Sequence, residues 1–123
     1  MAIKNFTELR AWKEAYKLVK VIYVCTGSFP KEESYALTSQ MRRSVVSVTS
    51  NIAEGFARRT RKEKMQFYYM AHGSLTELQS QLIVACGVGY IDKTKLETIQ
   101  EQIVSVQKLT NGLIKGTIKI RNS

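Results

Sequence analysis

A chain of 123 residues is the size of one domain, and 44% hydrophobic residues supply enough apolar side chain for a single core. Nineteen Lys and Arg against ten Asp and Glu give a formal charge of +9, a balance that favours polyanionic partners such as nucleic acid. The longest apolar stretches, such as Leu82 to Cys86, are too short to span a bilayer, and residues 1–20 carry charges throughout, which argues against a spanning helix and a signal peptide and predicts a cytoplasmic protein.

A single proline, Pro30, and few glycines leave four stretches in which only helical periodicity recurs. The first helix is predicted over about 8–26, stopped by Gly27-Ser28-Phe29-Pro30. Leu9, Trp12, Tyr16, Val19 and Tyr23 make one apolar seam, and Ala11, Ala15, Leu18, Ile22 and Cys25 make a second beside it. At about 100° per residue the two cover roughly 200° of the helix, more than contact with one layer needs, so something beyond the monomer core is expected to cover the excess. Arg10, Lys13, Lys17 and Lys20 hold the remaining face as a cationic stripe, which suits a solvated face as well as a binding face.

The second helix is predicted over about 36–55, in a Ser-, Val- and Thr-rich stretch of poor intrinsic propensity that tertiary contacts must hold. Arg58, Arg59, Arg61, Lys62 and Lys64 then crowd the turn into the next helix, opposed there only by Glu63. A basic turn that also exposes helix N-terminal amides is suited to phosphate contacts with little sequence readout. Phe56 and Phe67 flank it, but their spacing assigns them to the core rather than to base stacking, and a solvated turn is the other reading of the same cations.

The third helix, about 61–87, opens on a Thr60 to Glu63 capping box and closes at Gly87-Val88-Gly89. Between Lys64 and Asp92 its only formal charge is Glu77, and its non-core positions Gln66, Gly73, Ser74, Thr76, Gln79, Ser80 and Gln81 are small or uncharged. Such a face suits a second buried contact and predicts a homo-oligomer. The lone Glu77 is expected to form a buried or interfacial pair with Arg43, which shares one side of the second helix with Ser47 and Glu54. The fourth helix, about 93–118, follows an Asp92 N-cap, and residues 119–123 read as a basic tail of a single all-helical domain spanning 1–123.

Little here resembles catalytic machinery. Cys25 and Cys86 lie among apolar residues without a C-x-x-C spacing, and His72 has no Glu or Cys three or four residues away to make a helical metal pair. Glu54, Glu63 and Glu77 are the only carboxylates between Glu33 and Asp92, with no His or Asp at catalytic spacing. No catalytic residue, metal site or cofactor is therefore expected.

Ser39-Gln40-Met41-Arg42-Arg43, followed by Ser50-Asn51-Ile52-Ala53-Glu54-Gly55, stands between Leu9-Arg10-Ala11-Trp12 and Gly73-Ser74-Leu75-Thr76-Glu77-Leu78, with Gly89-Tyr90-Ile91 beyond. This combination resembles the four-helix-bundle family encoded within intervening sequences of bacterial 23S ribosomal RNA genes, from about Phe6 to Ile91. It departs at Thr49, where the family frequently has proline, and the fourth helix matches only in pattern. The resemblance implies an up-down four-helix bundle whose copies assemble into a ring, commonly a pentamer, with no catalytic activity. It is similar to accessory proteins of diversity-generating retroelements, which implies RNA or DNA and a reverse transcriptase as further partners.

Overall fold

The computed structural model describes residues 2–119, so the expected basic tail beyond Lys119 lies outside the described residues. It contains four helices, α1 (Arg10–Thr26), α2 (Leu37–Ala57), α3 (Arg61–Gly87) and α4 (Lys93–Ile118), with short 3₁₀ turns at Phe6–Glu8 and Lys31–Glu33 and no strand among the described residues. The helices form an all-helical four-helix bundle in which chain neighbours are antiparallel. Ser44 meets Glu77 and Ser47 meets Ser74 across α2 and α3, His72 meets Asn111 and Arg61 meets Ile118 across α3 and α4, and Arg42 near the start of α2 reaches Thr26 at the end of α1. α1 and α4 close the square.

The core follows the three-four spacing of antiparallel bundles. Ala11, Ala15, Leu18 and Ile22 of α1 face Met41, Val45, Val48 and Ile52 of α2, with Leu75, Leu78 and Leu82 of α3 and Ile99, Ile103 and Val106 of α4 completing the interior. Of the two apolar seams of α1, the one through Ala15 and Leu18 is the core. The other emerges along its edge: Trp12 and Val19 are half-buried, while Tyr16 and Tyr23 are 44% and 42% exposed. The apolar excess foreseen for this helix is therefore real, and it takes the form of a surface row in which Phe6, Trp12 and Tyr16 pack ring against ring.

Helix ends explain where the boundaries depart from those expected. α1 begins at Arg10 instead of residue 8 because Asn5 and Glu8 cap the short turn between them: Asn5 Oδ1 accepts from Thr7 N at 2.9 Å, and the Glu8 carboxylate accepts from Asn5 N at 2.9 Å. Leu9 is then extended and buried, breaking the turn from the helix. α2 runs past Gly55 to Ala57, so that glycine is not a stop. A Cβ there would lie 2.5 Å from Cε1 of the buried Tyr68, and the missing side chain is what lets α3 approach. α3 ends in a Schellman arrangement, with Tyr90 N donating to Ala85 O, Gly89 N donating to Cys86 O, and Gly89 at φ +88°. Asp92 caps α4 as expected, accepting from Lys95 N at 2.7 Å. At Thr60 only half of the expected box forms: its hydroxyl accepts from Glu63 N, while the Glu63 carboxylate takes the Thr60 hydroxyl proton instead of the Thr60 amide.

One clasp closes the end of the bundle that holds the two longer connections. Tyr90 donates its phenol to Glu33 Oε2 at 2.7 Å, and Glu33 Oε1 accepts from Leu37 N at the head of α2. That hydrogen bond, then partial burial and the nearby carboxylates Glu33 and Glu32, hold the Tyr90 phenol above its ordinary value near 10. A group with a raised folded pKa contributes stability that is complete below the unfolded value and lost as pH rises through the folded one. Tyr90→Phe is thus expected to lower the melting temperature at neutral pH, with the deficit shrinking above pH 10, as melts across that range would read directly.

Candidate nucleic-acid interface

The expected cation cluster lies where α2 turns into α3, and the structure divides it. Arg58, extended at the end of α2, bonds Glu54 at 2.7 Å and stacks over the Phe67 ring at 4.7 Å. Lys64 turns inward, donating to the carbonyls of Phe56 at 2.8 Å and Gly55 at 3.3 Å, so that it caps the C-terminus of α2; burial pushes its pKa down. Arg61 donates to Ile118 O at 3.2 Å, tying the head of α3 to the end of α4. Arg59 and Lys62 are exposed and make no hydrogen bond or ion pair within the described residues. The cluster foreseen as five phosphate ligands is thus two outward cations beside three that also hold helix ends together.

The cationic stripe of α1 is on the surface throughout: Arg10, Lys13, Lys17 and Lys20 are exposed, with Lys17 3.6 Å from Glu14 and Lys20 4.4 Å from the centre of the Tyr16 ring. It does not converge on the turn as a whole. Antiparallel packing brings Arg10 and Lys13 to the end of the bundle that holds Arg59 and Lys62, and carries Lys20 toward the other end.

What sequence reasoning missed is which other charges share these ends. The Arg61 to Ile118 contact brings Lys115 and Lys119 to the basic turn, and Lys4 precedes the 3₁₀ turn packed against α2. The carboxylates there are Glu8, Glu54 and Glu63, each already accepting a hydrogen bond. At the opposite end Lys20, Lys31, Arg42, Arg43, Lys93 and Lys95 stand against Glu32, Glu33, Asp92, Glu97 and Glu101, close to balance. The bundle is electrostatically polar along its length, which a linear scan of the sequence obscures because the basic end is assembled from four separated segments.

The motif residues of α2 and α3 have a structural account. Ser44 donates to Glu77 Oε1 at 2.9 Å, Ser74 donates to Ser47 Oγ at 2.9 Å, and Asn51 Nδ2 donates to the carbonyl and hydroxyl of Ser47. These bonds run down the seam between the helices toward Gly55. The expected Arg43 to Glu77 pair is not formed within the protomer. Glu77 takes the hydroxyl of Ser44, which faces α3, whereas Arg43, one position earlier and therefore turned about 100° away, is exposed; both line a cavity of about 430 Å³ with Gln40 and Ser47.

α3 presents the uncharged outer face foreseen for it, and that face is more apolar than expected. Ser74, Gln79 and Gln81 are taken up inside the protomer: Ser74 bonds Ser47, the Gln79 carbonyl accepts from Gln100, and Gln81 is buried. Gln66, Gly73, Thr76 and Ser80 remain exposed, joined by Tyr69, Met70, Ile83 and Val84. His72 Nε2 lies 2.8 Å from Asn111 Oδ1, Cys25 is buried and Cys86 half-buried, and no cluster of three metal-ligating side chains occurs among the described residues. No helix among those residues is long and apolar enough to cross a membrane.

An antiparallel four-helix bundle with a serine- and asparagine-bonded α2/α3 seam and a basic end is the class of protein that these features define. The chain matches the family model for the 23S rRNA-intervening sequence protein over residues 7–112 and belongs to that family. It is similar to the crystal structure of a protein with unknown function from the S23 ribosomal protein family of Bacteroides thetaiotaomicron, with a TM-score of 0.76 at 19% identity, covering 85% of this chain and 95% of that one. At that identity the likeness shows the shared fold. A comparison with curated proteins finds no match.

Proposed function

We propose that this protein is a non-enzymatic, self-assembling bundle that binds nucleic acid by phosphate contacts at its basic end. The observation that carries the reading is the charge polarity: exposed cations from α1, the α2–α3 turn and α4 meet at one end, where each carboxylate is already hydrogen-bonded. Backbone phosphates need only such a field and a few outward Lys and Arg side chains, and they impose no base readout. The exposed apolar face of α3 supports assembly into a closed ring, with a pentamer as the expected number.

Arg59, Lys62 and Lys115 are the residues to test, because Arg58, Arg61 and Lys64 also hold helix ends and their loss would confound folding with binding. Replacing the three by glutamine is expected to weaken binding to unrelated duplex sequences by similar factors. The slope of log affinity against log salt should flatten by about 0.9 for each phosphate that is no longer neutralised. Fluorescence anisotropy across a salt series would check this, and a folded triple variant with wild-type affinity and slope would overturn the reading.

The engagement of Arg58, Arg61 and Lys64 within the protomer favours a second reading, a structural or protein-partner module. Saturable binding to one protein, without affinity for RNA or DNA at low salt, would distinguish it.

A further inference from the structure

A groove of about 720 Å³ lies open to solvent between the end of α1, the α1–α2 connection and the outer face of α2. Tyr23, Tyr35, Arg42 and Arg43 line it, with Val46 and the hydroxyls of serine and threonine residues making up the rest, and no carboxylate contributes to its wall. It runs along α2 as far as Ser50, about two helical turns short of the basic turn.

Its side chains divide into fixed and uncommitted ones. Arg42 is fixed: its guanidinium stacks on the Tyr23 ring at 4.5 Å, while Nε donates to Thr26 Oγ1 at 2.9 Å and Nη2 to Tyr23 O at 3.3 Å. Arg43 makes no hydrogen bond or ion pair within the described residues. Tyr35 is 99% exposed, although the chain beside it is held by the Glu33 clasp to Tyr90 and Leu37. A large aromatic ring on an anchored segment, beside two guanidiniums and several hydroxyls, matches the two halves of a nucleotide. The ring offers a stacking surface to a base, and the guanidiniums and hydroxyls offer donors to a phosphate.

We propose that this groove receives an unpaired nucleotide of single-stranded RNA or DNA, the base stacked on Tyr35 and the phosphate held by Arg43 and the groove hydroxyls. The proposal rests on the nucleic-acid reading above and narrows it to single strands. A duplex offers the same phosphates but keeps its bases stacked on one another, so only a single strand gains from the tyrosine.

The test uses the whole protein with a labelled oligothymidylate and a labelled duplex of equal length. Tyr35→Ala leaves no cavity, since the ring is almost wholly exposed, and it is expected to weaken oligothymidylate binding by about fivefold to 150-fold, the range for loss of one base–aromatic stack. Duplex binding should stay at the wild-type level. Arg43→Gln should weaken oligothymidylate binding as well and flatten its salt slope by about 0.7, the single-strand value per phosphate. Tyr35→Ala binding both probes like wild type, or losing both equally, overturns the proposal. So does a changed oligomeric mass of that variant in light scattering, which would assign the ring to a contact between copies. Wild-type protein that binds neither probe at low salt removes the parent reading together with this one, whereas intact duplex binding with no effect of Tyr35→Ala on the single strand removes the groove alone.

Discussion

Gly55→Ala is expected to destabilise the bundle by about 1–2 kcal/mol. The added Cβ would stand 2.5 Å from Cε1 and 2.8 Å from Cδ1 of Tyr68, and 3.2 Å from Cβ of Phe67. Tyr68 is 3% exposed, so its ring has nowhere to swing, and α2 and α3 must part along the seam that Ser47, Asn51 and Ser74 hold by hydrogen bonds. Overpacking of this kind costs roughly 1–3 kcal/mol, while alanine in a helix returns up to about 1 kcal/mol over glycine. The same change at Gly112 isolates the second term: a Cβ there meets nothing within 4 Å, and Gly112→Ala should stabilise by about 0.5–1 kcal/mol. Urea titrations of the two variants should therefore move in opposite directions. Equal shifts would mean that α2 and α3 are not closely packed at Gly55.

A charge placed on the outer face of α3 should abolish self-assembly. Ile83 and Val84 are 58% and 50% exposed in the single chain, beside Ser80 and in line with Met70 and Gly73, and Glu77 is the only formal charge of that helix beyond Lys64. Wild-type protein is expected to run in light scattering as a closed oligomer, and the Ile83→Glu, Val84→Glu double variant as a folded monomer. Exposed positions tolerate carboxylates in the monomer, whereas an unpaired charge in a buried contact costs several kcal/mol per interface. A monomeric wild type, or a double variant of unchanged mass and unchanged helical content, would sink the assembly.

The interior was legible because its spacing is regular. One apolar row at three-four intervals in each helix ends up with little or no exposed surface, and the Asp92 cap and the Gly87 to Gly89 stop depend on neighbours within a few positions. The failures share a different origin. Leu9 fits an apolar seam and hid the break that Asn5 and Glu8 create before it. Gly55 looked like a terminator because its real constraint, the ring of Tyr68, belongs to the next helix. Arg61 and Lys64 looked like outward cations because their partners, Ile118 O and Phe56 O, are backbone atoms that no composition or charge pattern marks. Charge and helix side match Arg43 to Glu77, but within the protomer a serine one position away has the better direction. All of the Tyr35 groove lining except Tyr23 falls between Ser34 and Ser50 at three-four spacing, so the row is visible in the sequence, but nothing in the row marks it as the wall of an open groove.

The gathering of cations at one end and the balance of charge at the other give the bundle a dipole along its axis in addition to its net charge of +9. In the non-uniform field around a polyanion, such a body feels a torque as well as a pull. It turns its basic end forward once the separation falls to about a Debye length, roughly 8–10 Å at ordinary ionic strength. The encounter is then biased in orientation before any hydrogen bond forms. Added salt, by shortening that distance, removes the alignment together with the attraction.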